Sequence, residues 1–225
     1  MALIDNIVAY WKLDESSGNA ADSTGNGYTL TIQGTTTYSP ALIANGGDLG
    51  STDANSNGFS RGDGMSIDLS GASSVSLWVK FTGTPTGTRR LMTWGSATGT
   101  SRYFQLNYDD ATTTLTVNAS NSNVNATIDL TDSAWHQVGY TCSAAGATTL
   151  YHNGTSVATG SRSTDTASAQ FAIGNVSAFN FGSPAIFDEI GTWSKELTSA
   201  EMTELYNSGI GLSYPFTGAS SNSNF

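Results

Sequence analysis

Residues 75–81 read VSLWVKF, and this short run decides the fold class. Val75, Leu77, Val79 and Phe81 recur at every second position, with Ser, Trp and Lys between them. A period of two is typical of an antiparallel strand that buries one face and exposes the other. We therefore expect a half-buried β-strand here.

Runs of the same kind recur along the chain, separated by Gly, Asn, Ser and Thr. They lie at 7–12, 28–33, 65–69, 90–94, 102–108, 114–119, 126–130, 136–142, 148–152, 156–159, 170–174 and 185–193. About thirteen short strands with turn residues between them predict an all-β sandwich or barrel. Because no Pro-rich or charge-rich linker interrupts the series, we expect one domain over 1–216 and a flexible tail over 217–225.

One segment near the C-terminus breaks the strand pattern. Residues 198–201 read TSAE, which is a capping box. The Thr198 side chain is expected to cap the first turn, and the Glu201 side chain is expected to bond back to the backbone N–H of Thr198. Gly209 is a suitable residue for ending the helix. The sequence predicts one short helix over about 198–208.

The charge balance excludes several classes of partner. The chain has 8 Lys+Arg against 18 Asp+Glu, a formal net charge of -10, so nucleic acid and anionic membrane surfaces would repel it. Its apolar runs are shorter than the roughly 20 residues of a membrane span. With 31 Thr, 31 Ser and 25 Gly but only 12% charged residues, the expected surface is acidic and rich in hydroxyls. Such a surface suits a protein displayed outside a cell.

Four motifs in a fixed order resemble the laminin-G-like domains of the concanavalin A-like lectin/glucanase superfamily. They are VAYWKLDE at 8–15 with DSTGNG at 22–27, VSLWVKF at 75–81, WHQV at 135–138 with TLYHNG at 149–154, and FDEIGTWSKELT at 187–198. The resemblance implies a two-sheet antiparallel jelly-roll β-sandwich. Relatives usually place a short strand where residues 46–64 are rich in Gly, Asn, Ser and Asp, so we expect a longer exposed loop there.

The resemblance also implies a structural calcium ion held by Asp22, Asn26 and Asp188. The turn at 22–27 offers a carboxylate, hydroxyls, an amide and backbone carbonyls, which are ligand types that Ca²⁺ accepts. From the residues alone, the alternative interpretation is that Asp22 and Asn26 only make an Asx turn.

A glycan site would pair an aromatic ring with groups that hydrogen-bond to sugar hydroxyls. The candidates, on or beside the loops expected to edge one sheet, are Trp94, Arg102, Tyr103, Tyr108 and Asp109. The alternative for the aromatic rings is burial in the core.

Catalysis is the least supported class. Glycoside hydrolases need two carboxylates flanking the scissile bond, and no motif of that kind stands out. The adjacent pair Asp188 and Glu189 is expected to point to opposite faces of a strand. His136 and His152 lie inside the structural motifs. We therefore expect a protein that is not an enzyme.

The preferred hypothesis is a surface-displayed recognition or adhesion module that binds extracellular or cell-surface glycans. The N-terminus lacks the basic and apolar regions of a secretory signal, so we expect either a trimmed signal or release by lysis. Release by lysis favours a bacteriophage virion component such as a decoration, fibre or tail-associated domain. The alternative is a purely structural domain that binds other virion or cell-surface proteins without a sugar ligand.

Overall fold

The computed structural model describes residues 2–52, 56–62, 71–95, 103–119, 122–162, 171–174 and 183–217. These residues form fifteen strands, one α-helix and one 3-10 turn. In chain order they are β1 Ile7–Trp11, β2 Thr31–Gln33, β3 Thr37–Pro40, β4 Asn45–Asp48, β5 Gly58–Arg61, β6 Ser73–Phe81, β7 Thr88–Gly95, β8 Tyr103–Asp109, β9 Thr114–Ala119, β10 Ser122–Thr127, β11 His136–Cys142, β12 Ala147–His152, β13 Thr155–Ser161, β14 Phe171–Gly174, β15 Ala185–Trp193, α1 Ser199–Tyr206 and the 3-10 turn Asn207–Gly209. Within the described ranges, no helix is long and apolar enough to cross a membrane.

The strands build two antiparallel sheets. The first sheet has the order β13-β12-β11-β6-β15-β4-β3, with β1 also paired to β15. The second sheet has the order β10-β9-β8-β7-β14-β5-β2. Many neighbours in each sheet are distant along the chain, as the crossing connections of a jelly roll require. The predicted two-sheet jelly-roll sandwich is confirmed.

The core lies between the sheets and includes the apolar face predicted for β6. Val75, Leu77 and Val79 are fully buried there. The opposite face of β6 differs from the prediction, because Ser76 and Trp78 are also buried. The cause is a second apolar layer on the outside of the first sheet, where the ring of Tyr206 stacks on Trp78 with centroids 5.6 Å apart.

That second layer is made by α1, the chain on either side of it, the N-terminal segment and residues of β1 and β12. Its buried members are Leu3, Tyr10, Tyr151, Trp193, Leu197, Met202, Leu205 and Leu212. The capping box is confirmed: the hydroxyl of Thr198 accepts from the backbone N–H of Glu201, whose carboxylate accepts from that of Thr198. The helix ends earlier than predicted, because Asn207 already takes a left-handed conformation, with φ 47°, before Gly209 is reached.

Thr198→Ala is expected to lower the free energy of unfolding by about 1 kcal/mol, because it leaves a first-turn N–H without its acceptor. Urea denaturation monitored by tryptophan fluorescence would measure this. Thr198→Ser keeps the hydroxyl and should be close to the original protein. Equal losses in the two variants would contradict a capping role.

The stretch 46–64 is only partly the exposed loop that its composition predicted: residues 50–52 and 56 are exposed, but strands lie on either side of them. It contributes β4 and β5, whose residues Gly47, Gly58 and Phe59 are buried. Glycine is required at position 47 because a Cβ there would lie 2.4 Å from the Phe59 ring. Small residues let strand and ring approach closely, so the glycine-rich composition marks tight packing here. Residues 53–55 and 63–64 lie outside the described ranges.

The predicted tail begins after residues that are held in place. The ring of Phe216 packs edge-on against Tyr10, with centroids 5.4 Å apart, and Phe216 belongs to the outer apolar layer. Beyond residue 217, the tail lies outside the described residues.

Candidate functional site

Asp22, one of the three predicted calcium ligands, is satisfied by its own loop. Its Oδ1 accepts from the backbone N–H groups of Tyr10 at 3.2 Å and Thr24 at 3.0 Å, and from the Thr24 hydroxyl at 2.7 Å. Its Oδ2 accepts from the N–H of Tyr28 at 3.1 Å. Asn26 donates its amide to the carbonyl of Val8 at 2.9 Å. These contacts are those of an Asx turn that ties the loop to β1.

Asp188, the third predicted ligand, is buried on β15. Its Oδ2 accepts from the N–H of Ile43 at 2.9 Å, and its Oδ1 is buried without a hydrogen-bond partner. Burial, together with the nearby Glu189 and Asp14 carboxylates, raises the pKa of Asp188 to about 8. A buried oxygen without a donor fits a hard cation such as Ca²⁺.

Glu189 is also buried, which corrects the expectation that the pair would split between core and surface. A β-bulge interrupts the pairing of β15 with β6 at this point, and Glu189 has φ 47°. The hydroxyl of Tyr10 donates to its Oε2 at 2.5 Å, and its Oε1 is buried without a partner. Burial raises the pKa of Glu189 to about 7, against the lowering effect of the Tyr10 hydrogen bond. Among the described residues, no three His, Cys, Asp or Glu side chains are grouped to hold a metal.

Two of the three aromatic glycan candidates, Trp94 and Tyr108, belong to the core, so their predicted role in stacking on sugars is wrong. Trp94 is 2% exposed and meets the Phe171 ring edge-on at 5.4 Å. Tyr108 is fully buried against Phe81, and its hydroxyl accepts from the N–H of Leu130 at 3.4 Å. Both point inward because they occupy the core-facing positions of β7 and β8. Rings sandwiched between two sheets cannot reach a sugar.

The remaining glycan candidates have three different outcomes. Arg102 lies outside the described residues, and for Tyr103 only the backbone, paired with Gly95, is described. Asp109 does face outward at the end of β8. Its carboxylate accepts from the hydroxyls of Thr88 at 2.6 Å and Thr112 at 3.1 Å. The Thr88 hydrogen bond is the main cause of a lowered pKa for Asp109, so this group is ionised at neutral pH.

Asp109 borders a hollow on the outer face of the second sheet, with a volume of about 270 Å³. It is lined by Thr88, Asn107, Asp109, Thr112, Thr114, Thr116, Asn118 and Asn123. Every lining side chain carries a hydroxyl, an amide or a carboxylate. The volume is near the lower end of small-molecule sites, about 300 to 1,000 Å³. The hollow therefore offers many polar groups to a small, hydroxyl-rich ligand.

Strand register explains how these side chains come together. Asn107 pairs with Thr116 across β8 and β9, and Asn118 pairs with Asn123 across β9 and β10. Between them, Leu115 and Val117 point into the core. The alternation TLTVN at 114–118 is visible in the sequence. Only the pairing of β8, β9 and β10 shows that these polar residues share one surface.

Two amides in the hollow have unused hydrogen-bonding capacity. Asn107 donates to Gln105 at 3.3 Å, but its Oδ1 has no partner. The half-buried side chain of Asn118 makes no hydrogen bond to any other described residue. Polar atoms in such positions normally find a partner, either in the protein, in water or in a ligand.

A second hollow, of about 530 Å³, lies between the β12–β13 hairpin and α1. Its polar groups already hold the hairpin against the helix. The Asn153 carboxamide accepts from the N–H of Gln137 at 3.0 Å, and Thr203 donates to the carbonyl of Gly154 at 3.0 Å. One face of its Tyr206 ring is covered by Trp78. These contacts fit a structural junction better than a binding surface.

Several solved structures share this fold at low sequence identity. The binding domain of Paraclostridial Mosquitocidal Protein 1 superimposes with a TM-score of 0.71 at 15% identity, over 92% of this chain and 53% of that chain. The binding domain of botulinum neurotoxin DC, solved in complex with rat synaptotagmin II, has a TM-score of 0.73 at 14% identity, over 92% of this chain and 52% of that one. This chain thus spans about half the length of the toxin domains.

A carbohydrate-active enzyme supplies a neighbour of similar size. Domain 4 of AbnA, an extracellular arabinanase from Geobacillus stearothermophilus solved in complex with arabinotriose, has a TM-score of 0.69 at 21% identity. The match covers 88% of this chain and 97% of that domain. At these identities the likeness shows the fold alone.

The family is shown by the sequence of the chain. None of the curated proteins matches the sequence significantly. The model of a laminin-G family, described as concanavalin A-like lectin/glucanases superfamily, matches residues 53–203, well over half of the chain. The chain therefore belongs to this laminin-G-like family of the concanavalin A-like lectin/glucanases superfamily.

Proposed function

We propose that this protein is a non-enzymatic recognition module that binds glycans in the hollow on the outer face of the second sheet. The observation that carries the proposal is the lining: eight hydroxyl, amide and carboxylate side chains surround a small depression. Sugars present hydroxyls that both donate and accept, and such groups match this lining. AbnA domain 4, a structural neighbour, was solved with arabinotriose, which supports a sugar ligand.

Affinity in such a site comes from several modest hydrogen bonds. Each neutral hydrogen bond contributes about 0.5 to 1.5 kcal/mol after exchange with water. Asn118 can donate two hydrogen bonds and accept two, and Asn107 adds an acceptor beside it. Asp109, ionised, can accept from two neighbouring sugar hydroxyls.

Asn118→Ala is expected to weaken glycan binding about tenfold, because it removes a donor and an acceptor from the hollow. A glycan array with Ca²⁺ present would identify an oligosaccharide, and calorimetry with that oligosaccharide would give the affinity of each variant. Asn125→Ala is the matched control, since Asn125 is an exposed asparagine on β10 that does not line the hollow. Equal glycan affinities of Asn118→Ala and Asn125→Ala would show that the glycan does not bind in this hollow.

The second candidate is a structural domain that binds other proteins of a virion or cell surface without a sugar. The toxin domain solved with synaptotagmin II supports a protein partner for this fold. The array separates the two: no glycan bound in the presence of Ca²⁺ favours the structural role.

We place the module outside a cell, on an extracellular or virion surface, because its composition is acidic and rich in hydroxyls. Immunogold electron microscopy of native particles would test this, and labelling of bacterial envelopes instead would support a cell-surface origin.

Calcium remains part of the proposal at Asp188. The unpartnered oxygens of Asp188 and Glu189 support a cation at the bulge, and its binding only to the folded state would stabilise the domain. Asp22 is not included, because its carboxylate already accepts four hydrogen bonds from the protein. The pH dependence of stability, measured with EDTA and with Ca²⁺, tests this part.

A further inference from the structure

The two histidines of the chain form a cluster that the glycan site does not use. His136 begins β11 and His152 ends β12 in the first sheet. Nδ1 of His136 lies 2.9 Å from Nε2 of His152, and the rings are inclined by 27°. His136 is 5% exposed, whereas His152 is half-buried. The sequence placed both residues in structural motifs, but strand positions alone do not require two facing imidazoles.

Asp132 determines which nitrogen of His136 carries the proton. Its Oδ1 lies 2.8 Å from Nε2 of His136. The backbone N–H of Ala134 is the main cause of a lowered pKa for Asp132, so the carboxylate is ionised and can only accept. Nε2 of His136 therefore carries a proton, and in the tautomer with that single proton Nδ1 presents a lone pair to His152. A carboxylate that orients an imidazole in this way is a common partner of histidine metal ligands.

His152 is uncharged at neutral pH. Burial, and after it the neighbouring His136, lowers its pKa to about 4. In the tautomer of His152 that carries its single ring proton on Nδ1, the lone pair of Nε2 faces the lone pair of His136 Nδ1. The two lone pairs can then bind one cation.

We propose that Nδ1 of His136 and Nε2 of His152 bind one divalent transition-metal ion, with Asp132 as a positioning residue. Imidazole nitrogen favours Zn²⁺, Cu²⁺ and Ni²⁺ over Ca²⁺ and Mg²⁺. Tetrahedral Zn²⁺ with bonds of about 2.0–2.1 Å sets its ligand nitrogens about 3.3 Å apart, so the rings must separate by a few tenths of an ångström. The half-buried His152 ring on an edge hairpin can supply that movement.

The site is a two-ligand site in the part of the chain that the structure describes. No group of three His, Cys, Asp or Glu side chains is found there, so water completes the coordination. Asp132, half exposed, adds negative charge close to the ion. The metal would link the β11–β12 hairpin across its open end.

Zinc titration of the full chain tests the proposal. Because the chain has only two histidines, its imidazole signals in ¹H–¹⁵N spectra belong to two side chains. We expect Zn²⁺ to shift both sets with a 1:1 endpoint, and Ca²⁺ to shift neither.

Three variants separate coordination from general attraction to acidic residues. His152→Val removes a ligand and should abolish the 1:1 binding, with the melting temperature of the zinc-free variant as a check on folding. Asp132→Asn retains both ligands and should weaken binding about tenfold or more. Asp129→Asn removes an exposed carboxylate of the same loop and should leave the affinity unchanged. Zinc binding that survives His152→Val, or that responds equally to both Asp variants, would overturn the proposal.

Discussion

Trp94→Ala should lower the free energy of unfolding by about 3 to 5 kcal/mol and the melting temperature by roughly 10 °C. Trp94 is 2% exposed and packs against the Phe171 ring, which itself stacks on Trp11. Alanine would remove the aromatic contacts and leave a cavity that two rigid sheets cannot close. If the Trp94 ring instead lay on the surface and stacked on a sugar, its replacement by alanine would change the free energy of unfolding little.

Two controls make the Trp94 result specific. Ile210→Ala truncates an apolar side chain that is 67% exposed, and it should change stability by less than about 0.5 kcal/mol. Tyr108→Phe keeps a buried ring and loses only the hydroxyl that accepts from Leu130, so its cost should lie between the two. Chemical denaturation of the three variants gives the comparison. A Trp94→Ala protein as stable as Ile210→Ala would place the ring outside the core.

The alternation of apolar residues was sufficient to predict the sandwich, because burial of one face is a local property of each strand. Val75, Leu77 and Val79 lie in the core as the pattern predicts. What alternation cannot predict is a second layer on the other face. Trp78 is buried because α1 places Tyr206 over it, and that contact joins residues far apart in the chain.

The glycine-rich composition led to a wrong prediction of a loop at β4, because the glycines there allow close packing. Gly46 and Gly47 predicted a loop, yet a Cβ at position 46 would lie 2.6 Å from the carbonyl oxygen of Phe187. The sequence shows the absence of a side chain but not the atoms that approach it. The sequence likewise does not show that Trp94 points into the core, where β7 pairs with β14 and brings Trp94 opposite Phe171.

Only part of the candidate site could be predicted from the sequence. Asp109 was identified from its position beside aromatic residues, and it does line the hollow. Asn118 and Asn123 were missed, because only the register of β9 with β10 shows that they lie together. Their alternation with core residues is visible in the sequence, but alternation alone does not show which polar residues share a surface. At Asp188 and Glu189, the bulge with φ 47° at Glu189 buries both carboxylates, and the sequence carries no clear signal for it.

In buffer with EDTA, the domain should lose a few kcal/mol of stability between pH 5 and pH 9. The carboxyl groups of Asp188 and Glu189 have pKa values raised to about 8 and about 7, mainly by burial. A raised pKa favours the protonated form in the folded state. The stability that this provides is complete below the ordinary carboxyl pKa of about 4 and is lost as pH rises through 7 and 8.

The groups that face the pair account for the direction of this effect. Asp14 adds a negative charge that opposes ionisation of both carboxyls, whereas Lys12 favours the ionised form of Glu189. Tyr10 donates to Glu189, and the backbone of Ile43 donates to Asp188. Both donors stabilise ionised carboxylates, but burial outweighs them. Asp188→Asn, a neutral isostere, should flatten the decline above pH 7.

Calcium at the bulge would reverse the trend, because the cation binds the ionised carboxylates and must compete with protons. With millimolar Ca²⁺, the melting temperature at pH 9 should then exceed the value in EDTA, and the difference should vanish at pH 5. Asp188→Asn should remove the calcium effect, whereas Asp22→Asn should retain it if the loop still folds around its Asx turn. Melting curves that are identical with EDTA and Ca²⁺ at pH 9 would exclude a stabilising calcium ion while leaving the buried carboxyl pair, and its decline with pH, in place.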